Sequence, residues 1–237
     1  MKAETLQKPD ISIVIPVYNE GANVAPLADE VFAALAGRLH YELIFVDDGS
    51  IDDTPDEVER MVRQDAAVLL CRHGRNRGQS AAVRTGVSAA RADIVAVLDG
   101  DGQNDPGDLL GLFEQLRADT SVTMVIGERR KRQDSWLRRS SSKVANAVRS
   151  RLLGDGIRDT GCGIKVFYRD RYLDLPVFDH MHRFLPALIQ RDGGKVIALP
   201  VNHRPRRHGV SKYGVGNRLW VGIMDMLGVR WLQKRRL

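Results

Sequence analysis

The chain has 237 residues, 43% of them apolar, enough to bury a core as one large domain or two small ones. Lys and Arg outnumber Asp and Glu by 36 to 30, giving a formal charge of +6 and an isoelectric point near 9.5. That excess points to an anionic partner, whether nucleic acid, an acidic membrane surface or a phosphorylated substrate, while the lack of any repeat or low-complexity tract excludes a solenoid or a disordered chain.

Met1 to Asp10 is polar and carries no apolar stretch of the kind a secretory signal needs. Ile11-Ser12-Ile13-Val14-Ile15 reads as a buried strand, and Val24, Leu27, Val31 and Leu35 predict a helix over roughly 23–36. Leu43-Ile44-Phe45-Val46 repeats the strand, followed by a helix entered through Asp53-Thr54-Pro55, where a capping residue precedes proline at the first helical position. Val68-Leu69-Leu70 is a third strand and Gly78 to Arg91 an alanine-rich helix. Ile94-Val95-Ala96-Val97-Leu98 is apolar throughout, as in strands covered on both faces. Asp105-Pro106 opens a further helix, and Val122 to Gly127 a further strand. This alternation predicts an α/β fold with a mostly parallel sheet flanked by helices, and ligands beyond the carboxyl ends of the strands. Cys71 and Cys162 stand far apart, with neither zinc spacing nor a disulfide framework, as in a reducing cytosol.

The second half turns basic. Arg129 to Arg151 holds nine Lys or Arg against Asp134 alone, and His203 to Leu237 another nine against Asp225 alone. The apolar run Leu219 to Val229 is interrupted by Asp225 and flanked by Arg218 and Arg230, short of the ~20 residues a spanning helix requires. Trp220, Ile223, Met224, Leu227 and Trp231 nevertheless share one helical face ahead of Lys234-Arg235-Arg236. Two readings stand side by side: a core-packing helix, or one lying in the headgroup region of an anionic membrane.

Two acidic segments follow buried strands. Asp47-Asp48-Gly49-Ser50 is by itself either an ordinary turn or a pair of carboxylates facing the ligand crevice. Asp99-Gly100-Asp101-Gly102-Gln103 places two carboxylates and an amide oxygen at alternate positions, an oxygen-only set suited to Mg²⁺ or Mn²⁺ beside a diphosphate. Such carboxylates would repel a nucleic-acid backbone, so no nucleic-acid partner is expected despite the charge. Gly78 either simply starts its helix or turns free N–H groups towards a phosphate or sugar hydroxyl.

Together with these stretches, Ile15-Pro16-Val17-Tyr18-Asn19-Glu20, Asn76-Arg77-Gly78-Gln79, Leu98 through Pro106, Gly127-Glu128-Arg129, Asp159-Thr160-Gly161-Cys162-Gly163-Ile164-Lys165 and Arg206 through Tyr213 follow one family order. Over nearly its whole length the chain resembles the family 2 glycosyltransferases of GT-A (Rossmann-like) fold, and within them the polyprenyl-phosphate glycosyltransferases of the dolichyl-phosphate mannose synthase type. Gly102 departs from the pattern, where many relatives carry leucine. The resemblance implies that Pro16, Tyr18, Glu20, Asp47, Asp48, Asp99 and Lys212 hold a nucleotide-sugar donor, GDP-mannose or a UDP-sugar. It implies further that Asp99, Asp101 and Gln103 surround Mg²⁺ or Mn²⁺, and that Arg129, Arg132, Arg138 and Ser142 grip the phosphate of a polyprenyl phosphate acceptor. Asp101, Asp159 and Arg129 would be catalytic, with Asp159 at the position of a base, although a phosphate acceptor is already anionic and needs little deprotonation. Ser211-Lys212-Tyr213 looks like a lid over the donor diphosphate.

The expectation is a transferase domain over 1–214 and an amphipathic basic helix over 215–237, performing inverting sugar transfer at the cytoplasmic, inner face of a membrane. A homo-oligomer or a separate membrane protein is compatible with it. The alternative acceptor is a saccharide hydroxyl in cell-envelope polysaccharide synthesis, for which Asp159 would have to be a true base.

Overall fold

The structure is a computed structural model describing residues 7–129, 149–206 and 218–235. Its centre is a seven-stranded sheet: β1 (Ile11–Val17), β2 (Tyr41–Asp47), β3 (Val68–Arg72), β4 (Ile94–Val97), β5 (Val122–Arg129), β6 (Lys165–Tyr168) and β7 (Lys195–Val201). They lie in the order β3-β2-β1-β4-β6-β5-β7. Pairing is parallel except where β6 runs antiparallel between β4 and β5.

Seven helices accompany the sheet among the described residues: α1 (Gly21–Leu35), α2 (Thr54–Gln64), α3 (Gln79–Ala89), α4 (Leu109–Ala118), α5 (Arg169–Leu173), α6 (Leu185–Arg191) and α7 (Arg218–Gln233). Because side chains alternate along a strand, β1 sends Ile11, Ile13, Ile15 and Val17 to the face covered by α1, α2 and α4. Val14 goes with Ile44 and Val46 to the face covered by α3, α5 and α6 and the inner side of α7. Each such side chain fully buried is worth roughly 1.5–3 kcal/mol, which is why the central strands are apolar on both faces. Ser12 interrupts that second face, and its hydroxyl donates to the buried Glu42 carboxylate at 2.5 Å. Arg91 closes the knot, its Nε donating to the same carboxylate at 2.6 Å.

Several local expectations are corrected. α2 already includes Thr54, so proline is its second residue, and the Thr54 amide donates to Asp52 Oδ1 at 3.1 Å. The helix expected to run to Arg91 ends at Ala89, freeing Arg91 to reach Glu42. The one expected from Asp105-Pro106 starts as a 3-10 turn, Pro106–Asp108, with the Asp105 carboxylate accepting from the Gly107 amide.

The reversal of β6 matters for the site. An antiparallel strand begins at the edge where its parallel neighbours end, so Lys165 pairs with Val97 at the end of β4 and with Ile126 near the end of β5. The Asp159–Lys165 segment is thereby delivered to the carboxyl edge of the sheet, beside Asp99.

Candidate active site

The first two strand ends are stitched together. Asn19, in a left-handed conformation (φ 51°), takes a bond from the Ile51 amide on its Oδ1 and gives its own amide to Ser50 Oγ, both at 2.9 Å. The Glu20 amide donates to Thr54 Oγ1 at 2.8 Å. Asp47 is buried and turns inward, accepting from the Ser50 amide at 2.9 Å with Arg72 Nε 3.3 Å from its other oxygen. Asp48 builds the next loop: its carboxylate accepts from the Arg77 and Gly78 amides at 2.9 and 2.8 Å and contacts His73 Nδ1 at 2.7 Å. Gly49 sits at φ 77°, and a Cβ there would fall 2.5 Å from the Arg75 carbonyl carbon. Only glycine satisfies both conditions.

A cleft of about 460 Å³ opens along this edge. Pro16, Tyr18, Glu20 and Asp48 line it together with Asp99 and Asp101 and with Gly78, Gln79, Asp179, His180 and His182. Gln79 Nε2 donates to Asp99 Oδ1 at 2.7 Å. Burial, and then the charge of Asp101, push the Asp99 carboxyl up from its ordinary range, with Lys165, Gln79 and Arg129 opposing. Gly163 is pressed against the pair Asp99 and Asn104: a Cβ on it would lie 2.1 Å from Asp99 Oδ2 and 2.4 Å from Asn104 Oδ1.

Asp101 is neutralised by Arg206, whose Nη2 donates to its Oδ2 at 2.6 Å. Arg206 arrives there because the chain beyond β7 runs alongside the 103–104 loop. Asn104 and His203 form a bridge, the Arg204 amide donates to the Gln103 carbonyl, and the Arg204 guanidinium pairs with Glu30 and Asp105. Gln103 Nε2 faces the Arg204 carbonyl at 3.4 Å, and Gln103 is not among the cleft-lining residues. Two mutually repelling carboxylates with amide oxygens nearby form a donor set that fits a hard divalent cation. Among the described residues no three His, Cys, Asp or Glu cluster as a metal cage.

Arg129 and Asp159 face each other in a forked ion pair, Nε to Oδ2 and Nη2 to Oδ1, each at 2.7 Å. Neither lines the cleft directly. Lys165, buried beneath them, donates its ammonium to the Cys162 carbonyl, and burial lowers its proton affinity despite the charge of Asp99. Arg132, Arg138, Ser142 and Lys212 lie outside the described residues, as does the expected domain boundary at 214.

The side of the cleft built by Asp179, His180 and His182 was not anticipated, since no strand end or acidic motif announces it. His180 holds φ 62°, and its Nδ1 sits 3.1 Å from Asp225 of α7. The C-terminal helix therefore braces the cleft. Its inner side carries Asp225, Met226, Val229 and Leu232. Met224, Leu227 and Trp231 of the predicted stripe are exposed at 65%, 51% and 56%, and Arg235 stacks over Trp231. No helix among the described residues is long and apolar enough to cross a membrane.

A mostly parallel α/β sheet with carboxylates gathered around a cleft at its carboxyl edge places the ligand site beyond the strand ends. The chain belongs to glycosyl transferase family 2, whose profile matches residues 12–174. It is 34% identical over 236 residues to the dodecaprenyl-phosphate galacturonate synthase of Rhizobium johnstonii, covering 98% of this chain and 69% of that one. Over 208 residues it is 35% identical to the undecaprenyl-phosphate 4-deoxy-4-formamido-L-arabinose transferase of Edwardsiella ictaluri, covering 86% of this chain but 63% of that one. Glucosyl-3-phosphoglycerate synthase from Mycobacterium tuberculosis, solved with Mn²⁺, UDP-glucose and glycerol 3-phosphate, superposes with a TM-score of 0.71. The match covers 95% of this chain and 80% of that one at 18% identity, a likeness of fold that establishes the expected GT-A architecture. The same enzyme with Mg²⁺ and UDP gives a TM-score of 0.71 at 17% identity, over 95% of this chain and 79% of that one.

Proposed function

We propose that this glycosyltransferase moves a sugar from a nucleoside-diphosphate sugar to a polyprenyl phosphate, with inversion, at a membrane surface. The observation that carries the reading is the cleft itself: a pair of carboxylates for a diphosphate and its cation, in a chain whose similar relatives are named for polyprenyl-phosphate products. An acceptor phosphate oxygen attacks the anomeric carbon, the bond from that carbon to the nucleoside diphosphate breaks, and no proton need be removed beforehand.

Asp99 and Asp101, aided by the Gln103 amide, would hold Mg²⁺ or Mn²⁺. The ion would supply charge stabilisation for the departing diphosphate. Pro16, Tyr18 and Glu20 receive the nucleoside end, with Asp48 shaping the loop behind it and Asp47 locking the turn. Arg206, already poised on Asp101, and Lys212 supply further positive charge to the diphosphate. Arg129 is held in a fixed orientation by Asp159 and, with Arg132, Arg138 and Ser142, presents the acceptor phosphate. A saccharide hydroxyl acceptor would demand a free base, and the engagement of both Asp159 oxygens by Arg129 argues against that alternative.

The exposed Met224, Leu227 and Trp231 beside Lys234 and Arg235 suit an anionic lipid surface and support the reading of a peripheral enzyme at the inner face of the membrane. The test is to incubate purified protein with polyprenyl phosphate and a panel of UDP- and GDP-sugars, then weigh the lipid product. Formation of a polyprenyl-phosphate sugar that needs Mg²⁺ or Mn²⁺ is expected. Failure with every donor, alongside transfer to a saccharide, would reject the acceptor assignment.

A further inference from the structure

The side of the cleft formed by Asp179, His180 and His182 has no part in holding the diphosphate or the nucleoside. It packs against the start of α3: a Cβ on Gly78 would lie 3.5 Å from Asp179 Oδ1, and Ser80 Oγ is 2.7 Å from His182 Nδ1. A diphosphate at Asp99 and Asp101, with the nucleoside towards Pro16 and Tyr18, leaves the space beside Gly78, Gln79 and His182 for the donor's sugar. This argument rests on the nucleotide-sugar reading above.

Ser80 Oγ contacts His182 at both its backbone amide and its ring. Ser80 Oγ accepts the backbone N–H of His182 at 3.3 Å and has a single proton to give. Given to His182 Nδ1, 2.7 Å away, that proton leaves the ring's own proton on Nε2. Enclosure, reinforced by Arg183, Lys165 and His180, depresses the basicity of the ring well below that of a free imidazole. The ring is thus neutral, fixed by Ser80 on one nitrogen and without a partner on the other among the described residues, while it lines the cleft. The side it belongs to is rigid, because His180 is held between Asp179 and Asp225 of α7, with Nε2 3.5 Å from Asp179 and Nδ1 3.1 Å from Asp225.

We propose that His182 reads the donor sugar, its Nε2–H donating a hydrogen bond to an oxygen substituent of the sugar ring. A fixed, uncharged donor discriminates by geometry: a sugar whose oxygen lies elsewhere leaves a partly buried N–H unpaired, which costs more than the bond itself contributes.

The test uses the full chain with Mg²⁺ and compares, by calorimetry, UDP with UDP-glucose and UDP-galacturonate, and GDP with GDP-mannose. His182→Ala should weaken binding of the accepted nucleotide sugar about tenfold while leaving the matching free diphosphate unchanged. His182→Gln, which keeps an N–H donor, should recover most of the loss. In ¹⁵N spectra the His182 ring should show the neutral Nε2–H form, with its Nε2 signal moving on addition of the nucleotide sugar and not of the diphosphate. Equal weakening of both ligands, no weakening of either, or a ring protonated on Nδ1 would overturn the assignment. Sugar-dependent binding through His182 without transfer to polyprenyl phosphate would reject the acceptor reading alone, whereas failure of every nucleotide sugar to bind would reject both.

Discussion

Removing the carboxylate of Asp159 separates two roles for the residue. The Arg129 and Asp159 side chains are 13% and 9% exposed, and both Asp159 oxygens are engaged at 2.7 Å. Stripping one partner from so enclosed a pair leaves an uncompensated charge and costs about 3–5 kcal/mol. For a domain of this size each kcal/mol lowers Tm by roughly 2–4 °C, so Asp159→Ala should melt about 6–20 °C below wild type. If Asp159 positions Arg129, Asp159→Asn should lower Tm, raise KM for polyprenyl phosphate more than it lowers kcat, and leave the acid limb of the pH profile unmoved. The double variant Arg129→Met with Asp159→Leu should regain much of the lost Tm without regaining activity, because a shape-matched apolar pair replaces a buried ion pair at little cost. A general base would behave oppositely, with kcat falling roughly 10²–10⁴-fold at little change in Tm. Calorimetric melting and acceptor-titrated kinetics on the same preparations decide. An Asp159→Asn enzyme with wild-type Tm, lost kcat and a vanished acid limb would refute the positioning role.

Gly163→Ala should push Asp99 out of place, since its Cβ would stand 2.1 Å from Asp99 Oδ2, and Mn²⁺ titration should show affinity reduced at least as far as in Asp99→Asn. Asp101→Asn, which also loses the 2.6 Å bond from Arg206, should raise the Mg²⁺ or Mn²⁺ concentration needed for activity; full activity at limiting metal would remove Asp101 from the ion. Replacing Met224, Leu227 and Trp231 together by serine should leave Tm unchanged, as all three are exposed, but reduce sedimentation with phosphatidylglycerol vesicles by roughly tenfold or more. Unchanged sedimentation would reject α7 as the lipid-facing helix. Gly49→Ala should destabilise the protein by at least ~1–3 kcal/mol in denaturant titration, from φ 77° and the clash with Arg75.

The strands legible in the sequence were apolar runs, from Ile94 to Leu98, buried throughout, to the edge strand opened by Val68-Leu69-Leu70. β6 was not, because Lys165 to Tyr168 opens with a lysine and contains only four residues, and its antiparallel insertion depends on strands distant in sequence. The acidic loops were legible as ligand positions, but residue type alone could not divide their labour. Asp48 spends its carboxylate on the amides of Arg77 and Gly78, and Asp47 on that of Ser50, while Asp99 and Asp101 line the cleft. That division is set by which neighbouring backbone amides reach each oxygen, a tertiary fact. Asp179, His180 and His182 had no local signal, since their position depends on α3 packing across a separation of about a hundred residues.

Asp225 shows why the C-terminal helix resisted a single reading. In sequence it is the acid that interrupts an apolar run and separates core packing from membrane contact. In the fold it turns inward to His180, so α7 carries two apolar faces divided by function. Met226, Val229 and Leu232 face the domain, and Met224, Leu227 and Trp231 face outward. Packing consumes the face that Asp225 anchors, and nothing within the described chain covers the other. A helix that only filled the core would bury Trp231, and one that only lay on lipid would have no need of a carboxylate turned towards the domain. The helix therefore ties the side of the cleft carrying His182 to the exposed face of Met224, Leu227 and Trp231, so in the proposed function donor position and acceptor approach share the same sixteen residues.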